Sequence, residues 1–430
     1  MKTLIKSSQL LLLFVLLISF TSCLEDKCDA TRTFVEYEAV FAKPEEFRID
    51  NIEYFESRLL ENPGKIYYYN STLIINEKYE GIHLYDNSDA TSPTYLGFIS
   101  IPGNLDVSIK NGILYADNYV DLLSIDISDF KDPKLLDRQE EVFNIYDIWD
   151  EDQGYFIYTK ETERSIEIDC DDPNFNNQWF RNGNVIFADA SVSFEASAPT
   201  GVNNNISNTG QGGSFARFSV QGEYLYVLNL TELKSYSLST LTEPQLLNTV
   251  QVDWGNIETL FPYGNFLFIG GNNGMFIYDR TNPELPTFVS RFTHARACDP
   301  VFVQGNTAFV TLRNGSRCES FTNQLDVIDI TNIENPQLKR SYDMTNPHGL
   351  AVVNDDLYIC DGDAGLRVFD KTDLNKIDDN QVEHINDINA YDIIPLSKDH
   401  IIVVGDGGLY QYDSSNPSSL KELSYISISK

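Results

Sequence analysis

Positive charge, histidine and long apolar segments are scarce in this sequence. Its 430 residues include 31 Lys and Arg against 64 Asp and Glu, a net charge of −33, and only five His. Phosphate backbones and anionic lipids repel so acidic a chain, so we expect no nucleic-acid partner. After the N-terminal 23 residues no apolar run reaches the roughly 18 residues of a membrane helix, which leaves no predicted span.

Paired cysteine motifs are also missing. No CxxC occurs among the six Cys, and with so few His this argues against a zinc site, so we expect neither a metal nor a cofactor. With Cys23 set aside, five Cys remain, and this odd number leaves at least one thiol free. The spacing of Cys28, Cys170 and Cys360 favours no particular pairing.

Apolar material is plentiful by contrast. Hydrophobic residues make up 42% of the chain, with 26 Phe and 24 Tyr. This content predicts a large folded core and excludes a disordered protein.

The N-terminus reads as a secretory signal peptide over residues 1–22. Lys2 and Lys6 precede the apolar run Leu10 to Phe20, and small residues follow directly. The Cys23 that comes next resembles the lipidated Cys of a bacterial lipoprotein, although Phe20 stands where Leu is usual. The alternative is an ordinary secretion signal with an incidental Cys.

Two acidic residues, Glu25 and Asp26, follow Cys23 and resemble the surface-export signal of Bacteroidetes-type lipoproteins. This resemblance implies an outer membrane lipoprotein on the cell surface, with the periplasmic face as the alternative. The membrane would then be a partner through the lipid anchor alone. Residues 23–63 are interpreted as a tether followed by an edge strand around Thr33 to Phe41.

One phrase recurs along the rest of the chain: an alternating strand that ends in Asp, followed by a turn rich in Asn, Asp, Ser and Pro. Five of the seven intervals between copies measure 40 to 43 residues, and the two longer intervals contain inserts. The copies end at Asp86, Asp126, Asp169, Ser237, Asp279, Asp329, Asp370 and Asp413.

Each unit has room for about four short strands, and no helical periodicity appears. This pattern predicts an all-β fold, a β-propeller over residues 64–430 with eight blades of about 42 residues, or seven if one unit is irregular. The phrases Leu325 to Ile330 and Gly365 to Asp370 resemble the LVIVD repeat of bacterial surface proteins. That resemblance implies a propeller outside the cytoplasm and transfers no catalytic residue.

Charged residues recur about 20 residues before each Asp, where the first strand of a unit begins. First strands line the axis of a propeller, so these side chains should ring one mouth of its channel. One interpretation is a ligand or cation site that converging carboxylates create. The other is a scaffold role, in which Asp accepts backbone N–H bonds. The set is Lys65, Asp106, Asp147, Arg217, Glu258, Asp299, His348 and Asp392.

Two inserts interrupt the repeat. The first, Asp171 to Gly213, holds Phe175, Trp179 and Phe180 among Asn residues, which suits a sugar or peptide surface; the alternative is that these aromatics pack on a blade. The second, Arg313 to Thr322, contains Cys318. The hairpin at Gly305 places Cys298 near the base of this insert, which predicts a Cys298–Cys318 disulfide.

No GxSxG or HExxH motif is present, and we assign no catalytic residue. The sequence therefore favours a monomeric, non-catalytic binding or scaffold lipoprotein of the cell envelope, with a glycan or an envelope protein as its partner. The alternative is a glycan-active hydrolase or lyase that uses the acidic channel mouth.

Overall fold

A computed structural model describes residues 29–143, 149–169, 198–199, 211–214, 216–254, 257–271, 273–293, 300–313 and 323–429. The chain divides into two compact units. The smaller one comprises Met1–Val40 and Tyr158–Ala190, and the larger one comprises Phe41–Ile157 and Ser191–Lys430. Cys23, Cys28, Cys170, Cys298 and Cys318 lie outside the described residues, so the lipidation and the Cys298–Cys318 disulfide stay predictions.

A sheet apart from the repeats contains strand β1 (Asp29–Ala42). This strand pairs with β12 (Gly154–Asp169), and β12 pairs in turn with β11 (Trp149–Asp150). The predicted edge strand around Thr33 to Phe41 therefore exists, but its partner is β12 and not a blade.

The repeats form seven antiparallel blades of four consecutive strands each, which confirms the prediction of an all-β propeller. Six blades are separate four-stranded sheets, and the first lies within a seven-stranded sheet. We number them blades 1 to 7 and give their strands from the axis outwards. Blade 1 contains β3 (Pro63–Tyr69), β4 (Thr72–Glu77), β5 (Gly81–Asp86) and β6 (Thr94–Ser100); blade 2 contains β7 (Val107–Lys110), β8 (Ile113–Asn118), β9 (Asp121–Asp126) and β10 (Lys134–Gln139); and blade 3 contains β15 (Phe218–Gln221), β16 (Tyr224–Leu228), β17 (Glu232–Ser237) and β18 (Gln245–Gln251). Blade 4 contains β19 (Ile257–Tyr263), β20 (Phe266–Gly271), β21 (Gly274–Asp279) and β22 (Thr287–Phe292), and blade 5 contains β23 (Val301–Gln304), β24 (Thr307–Leu312), β25 (Gln324–Asp329) and β26 (Gln337–Asp343). Blade 6 contains β27 (Leu350–Val353), β28 (Asp356–Cys360), β29 (Leu366–Asp370) and β30 (Gln381–Ile385), and blade 7 contains β31 (Ala390–Ser397), β32 (His400–Gly405), β33 (Gly408–Asp413) and β34 (Lys421–Ser427).

Five further elements complete the described chain. Helix α1 (Pro44–Phe47) and strand β2 (Tyr54–Phe55) precede blade 1, and β2 pairs with the outer edge of β6. Strands β13 (Ala198–Pro199) and β14 (Gln211–Ser214) come from the first insert and extend the sheet of blade 1 beyond β3. Asp378–Asn380 forms a 3₁₀ turn. Within the described ranges, no helix has the length and apolarity needed to cross a membrane.

The propeller has seven blades, the alternative that the sequence left open, and not the favoured eight; the difference lies in the third unit counted from the sequence. Its phrase, Ser165 to Asp169, ends β12 and belongs to the separate sheet. This strand runs for 16 residues without the hairpin turn that would fold it back into a blade, and the Pro-containing turn after Asp169 is replaced by the insert. Strand-like alternation alone does not make a blade.

In each blade the residue that ends the repeat phrase, Asp in six blades and Ser237 in blade 3, closes the turn after the third strand. The Asp Oδ1 accepts the backbone N–H two residues later, as in Thr331 to Asp329 at 2.8 Å, and Ser237 does the same through its hydroxyl. The Gly that often starts the phrase is needed for close packing. A Cβ at Gly274 would lie 2.2 Å from the carbonyl oxygen of Phe292 on the neighbouring strand.

Neighbouring blades are joined at a repeated position. At five of the seven joints, the carbonyl four residues after the repeat Asp, or after Ser237, accepts a hydrogen bond from a hydroxyl of the blade before it. These bonds run from Tyr115 to Leu241, Tyr226 to Pro283, Ser290 to Ile333, Tyr342 to Leu374 and Ser424 to Ala90, all between 2.5 and 3.0 Å.

The ring closes between blades 7 and 1. Asn87 and Gln411 exchange two side-chain hydrogen bonds of 3.0 and 2.7 Å, and the backbone N–H of Ser429 donates to the Leu60 carbonyl at 2.7 Å. An apolar cluster that includes Ile66 and Ile402 lies beside these bonds. No blade in the described residues combines strands from both ends of the chain.

Strand direction gives the propeller two different faces. We call the face where first strands begin the loop face; it also carries the connections between second and third strands. The opposite face, which carries the repeat Asp turns, is the turn face. Both inserts join strands at the loop face, since one precedes β15 and the other lies between β24 and β25.

Candidate functional site

Six of the eight residues predicted to ring the channel mouth lie in the described part of the chain, at or next to the start of innermost strands. Asp106 and Arg217 directly precede β7 and β15, His348 lies two residues before β27, and Glu258 is the second residue of β19. Lys65 and Asp392 are the third residues of β3 and β31. All six are therefore at the loop-face end of innermost strands. Asp147 and Asp299 lie outside the described residues.

Three of these side chains meet in one buried network. Lys65 Nζ lies 2.6 Å from Asp106 Oδ2, and the backbone N–H of Arg217 donates to the same oxygen at 2.7 Å. The Arg217 guanidinium continues to Asp117 Oδ2 at 2.8 Å. The network thus ties the first three blades together at the loop face.

Asp117, the second-last residue of β8, was not among the predicted residues. Those residues were located at the starts of first strands, whereas Asp117 lies on a second strand. Its Oδ1 accepts the backbone N–H groups of Leu105 and Asp106 at 2.7 and 2.9 Å, and the Asn104 amide at 2.9 Å. This carboxylate therefore fixes the backbone that leads into β7.

The same arrangement recurs in two other blades. Glu77 accepts the N–H groups of Glu61 and Asn62 before β3, and Asp361 accepts those of Thr345 and Asn346 before β27. Carboxylates that follow or end second strands thus hold the turn into the first strand. Asp106, from the predicted set, also accepts backbone N–H groups, those of Val107 and Arg217, so both it and residues outside the set act as backbone acceptors.

Charge within the network is balanced, since two cations, Lys65 and Arg217, face two carboxylates, Asp106 and Asp117. Burial is the largest influence on both outer members. It lowers the pKa of Lys65 against the opposing effect of Asp106, and it raises the pKa of Asp117 against the opposing effect of Arg217. At blades 1 to 3 the predicted excess of negative charge is therefore neutralised, and Asp106 already accepts bonds at both oxygens.

The other side of the ring is polar, and two of its three predicted residues are buried. Asp392 is completely buried, and the His348 ring packs edge-on against Tyr391 with centroids 5.2 Å apart. The Thr311 hydroxyl donates to the His348 carbonyl at 2.6 Å. Glu258 is half-buried. Whether these residues bind a ligand stays a prediction.

Cys360 is a free, buried thiol next to this part of the ring. Burial, followed by the nearby carboxylates of Asp392 and Asp361, raises its pKa well above the ordinary value. The reactive thiolate is therefore disfavoured, and the side chain acts as part of the core.

A second charged cluster was not foreseen from the sequence. Asp121, at the start of β9, is fully buried and accepts two hydrogen bonds from the Arg48 guanidinium at 2.8 and 3.0 Å. It also accepts bonds from Arg138 and from the backbone of Glu141. These contacts hold the segment after α1 against blade 2.

Trp254 is the most exposed large apolar side chain of the described residues, at 88% exposure, and it lies on the loop face between β18 and β19. The loop beside it is held in place, because Asn273 donates to the Asp253 carboxylate at 2.8 Å and Gln251 donates to the Asp253 carbonyl at 2.6 Å. The aromatic residues that the sequence offered as a binding surface, Phe175, Trp179 and Phe180, lie outside the described residues.

No metal site emerges from the part of the chain that the structure describes, where no group of three or more His, Cys, Asp or Glu could hold an ion.

The family comparison supports the repeat. A model of the LVIVD repeat matches residues 255–294 and 296–344, which correspond to blades 4 and 5. The chain carries LVIVD repeats. The resemblance inferred from the sequence extended further, over residues 64–430. No curated protein matches the chain.

Solved structures share the architecture at low identity. The computationally designed Ika8 protein has a TM-score of 0.51 at 10% identity, over 87% of this chain and 93% of that one. A functionally unknown protein from Desulfotomaculum acetoxidans has a TM-score of 0.47 at 12% identity, over 85% and 95%. The WD40 β-propeller domain of Doa1 has a TM-score of 0.46 at 10% identity, over 83% and 96%. The likeness to the designed protein concerns the fold alone.

Removing one charge from the buried network should be costly. We expect Asp106→Asn to lower the free energy of unfolding by about 3 kcal/mol, because it leaves Lys65 buried without a charged partner. Adding Lys65→Met should recover part of the loss. Denaturant unfolding measures both effects. Lys398→Met, which breaks an exposed ion pair with Asp399, is the control and should cost under about 1 kcal/mol. An Asp106→Asn loss no larger than the control value contradicts the assignment.

Acid should weaken the LVIVD turns. The Thr331 hydroxyl and backbone N–H hold the pKa of Asp329 below its ordinary value, and Thr372 does the same for Asp370. A depressed folded pKa contributes stability above about pH 4 that is lost as the pH falls through the folded pKa. The stability difference between wild type and a D329N/D370N variant should therefore shrink from pH 7 to about pH 2.5, measured as denaturation midpoints. The exposed Glu334→Gln serves as the control, and parallel pH curves for wild type and D329N/D370N count against the turn interpretation.

Proposed function

We propose that this protein is a non-catalytic lipoprotein of the cell envelope whose propeller binds a partner through its loop face. The observation that carries the proposal is the difference between the faces. The turn face repeats one short Asp turn in blade after blade, whereas Trp254 lies on the loop face, where the first insert leads into β15 and the second joins β24 to β25. A rigid scaffold that varies its loops on one side is typical of binding proteins.

The chemistry of the described loop face favours binding over catalysis. The four charged residues of the buried network form ion pairs and hydrogen bonds with one another and with the backbone, so they have a structural role; they are Lys65, Asp106, Asp117 and Arg217. General acid and base catalysis needs a carboxyl that can reach a substrate proton. Trp254 offers instead a large apolar surface beside fixed polar groups, the combination found at the energetic centres of interfaces.

Trp254 provides the test of binding. With a photo-crosslinking benzoylphenylalanine at position 254, cells that produce the protein should yield a discrete crosslinked species under light. The same residue at position 288 is the matched control, because Phe288 is also exposed, at 58%, but lies on the outer strand β22. Once the partner is identified, Trp254→Ala should weaken its binding about 30-fold, the effect of a loss of about 2 kcal/mol.

Equal crosslinking at positions 254 and 288, or none at 254, contradicts a partner site on the loop face. Turnover of a glycan by the purified protein, lost in Asp392→Asn, overturns the non-catalytic proposal in favour of a hydrolase or lyase.

The envelope location has its own test. We expect mass spectrometry of the mature protein to find an acylated Cys23 at its N-terminus, and Cys23→Ser to release the protein from the membrane fraction. Digestion by a protease added to intact cells supports surface display, and protection supports the periplasmic face. An unmodified Cys23 in the mature chain rules out the lipid anchor.

A further inference from the structure

The innermost strands of the seven blades surround the axis in sequence order. Between the last of them, β31, and the first, β3, lies a further strand, β14, which comes from the first insert. β14 pairs antiparallel with β3, with Gln211 opposite Tyr68 and Gly212 opposite Tyr67. It also lies directly against β31 of blade 7. β14 therefore fills the gap between blades 7 and 1 on the axial side of their closing contacts.

β13 lies next to β14 and reaches further across the axis. Ala198 pairs with Ser214, and Pro199 pairs with Gly213. β13 also lies close to β19, β23, β27 and β31, which are the innermost strands of four different blades. Only a segment inside the ring can approach all four at once, so these two short strands occupy the axial channel.

Burial of the surrounding polar side chains agrees with a filled channel. Asp392 and Thr259, on the innermost strands β31 and β19, have no exposed surface, and Lys65 on β3 is 6% exposed. Polar side chains that line a water-filled channel stay in contact with solvent. At their level of the axis these three side chains are shielded from bulk solvent.

The propeller holds β14 through hydrogen bonds between main chains. Gly212 and Gly213 contribute no side chain, so the strand can approach β3 and β31 closely and is held through main-chain pairing. This is the geometry of strand addition, in which an extended peptide joins the free edge of a sheet. β14 reaches the slot through an insert that belongs to no blade, so the slot and its occupant are structurally separable.

We propose that the slot between β3 and β31 is an acceptor site for an extended, glycine-containing peptide, and that Gln211–Ser214 is its built-in occupant. The tether gives this occupant a high effective concentration, so a free peptide binds only when the internal strand has been removed. The proposal goes beyond the loop-face function and does not depend on the lipid anchor.

Peptide binding tests the acceptor site. The probe is a fluorescent peptide of residues 208–216, and its anisotropy is measured with the mature chain and with a variant that lacks residues 198–214. We expect saturable binding to the deletion variant, at least tenfold weaker binding to the intact chain, and no binding of a peptide with Pro in place of both Gly212 and Gly213. Equal binding to both proteins, or none to a folded deletion variant, overturns the proposal.

A second measurement keeps the proposal testable if the deletion variant does not fold. In the full chain, Gly212→Pro with Gly213→Pro should speed hydrogen exchange in peptides that cover Ile66–Tyr69 at least tenfold, because the pairing with β3 is lost. Exchange in β20, on blade 4, should not change. Asn203→Pro with Asn204→Pro, in the same insert, is the control for proline itself. Unchanged exchange in β3 overturns the assignment of β14 to the slot.

Discussion

Each blade is a sheet with two apolar faces, and it can bury neither face alone. In β4 and β8 every residue is buried, so both faces of these second strands are covered by neighbouring blades. A row of such sheets would leave apolar surface at both ends, and only a closed ring removes the ends. The repeated hydroxyl-to-carbonyl joints, the contacts between Asn87 and Gln411 and the placement of β14 all serve this closure.

Closure is hardest where the chain departs from the repeat. A long segment separates blade 2 from blade 3, so no short loop holds them side by side. Contacts replace the loop: the Phe143 and Phe218 rings stack with centroids 5.4 Å apart, and Lys110 reaches Glu223 at 2.7 Å. The Lys65–Asp106–Arg217–Asp117 network acts at the same joint. Buried ion pairs are poor sources of stability but good sources of geometric specificity, which is what an interrupted repeat needs.

The propeller fold was predicted from the periodicity of the sequence. The prediction failed at segments whose local sequence pattern matches the repeat but whose strand pairing in the structure differs. The repeat Asp, the turn after it and the first-strand charges recur at fixed intervals and could be located from the sequence. Ser165 to Asp169 has the same local pattern but pairs with β1, and nothing in five residues reveals which strand they will meet. Asp117 was missed because its role depends on a turn 12 residues away, and β14 was missed because Gln-Gly-Gly-Ser lacks the apolar alternation of a strand. Trp254 was missed because exposure is a property of the assembled surface.

The way the ring closes has a consequence for the order of the blades along the chain. The backbone bond between Ser429 and Leu60 brings the two ends of the blade array together, and each blade is a continuous stretch that needs no strand from its neighbour. The ring of blades therefore does not require the chain termini to lie between blades 7 and 1. A circularly permuted chain, with residues 60 and 429 linked and new ends opened between Asp343 and Leu350, would contain the same joints in a different chain order.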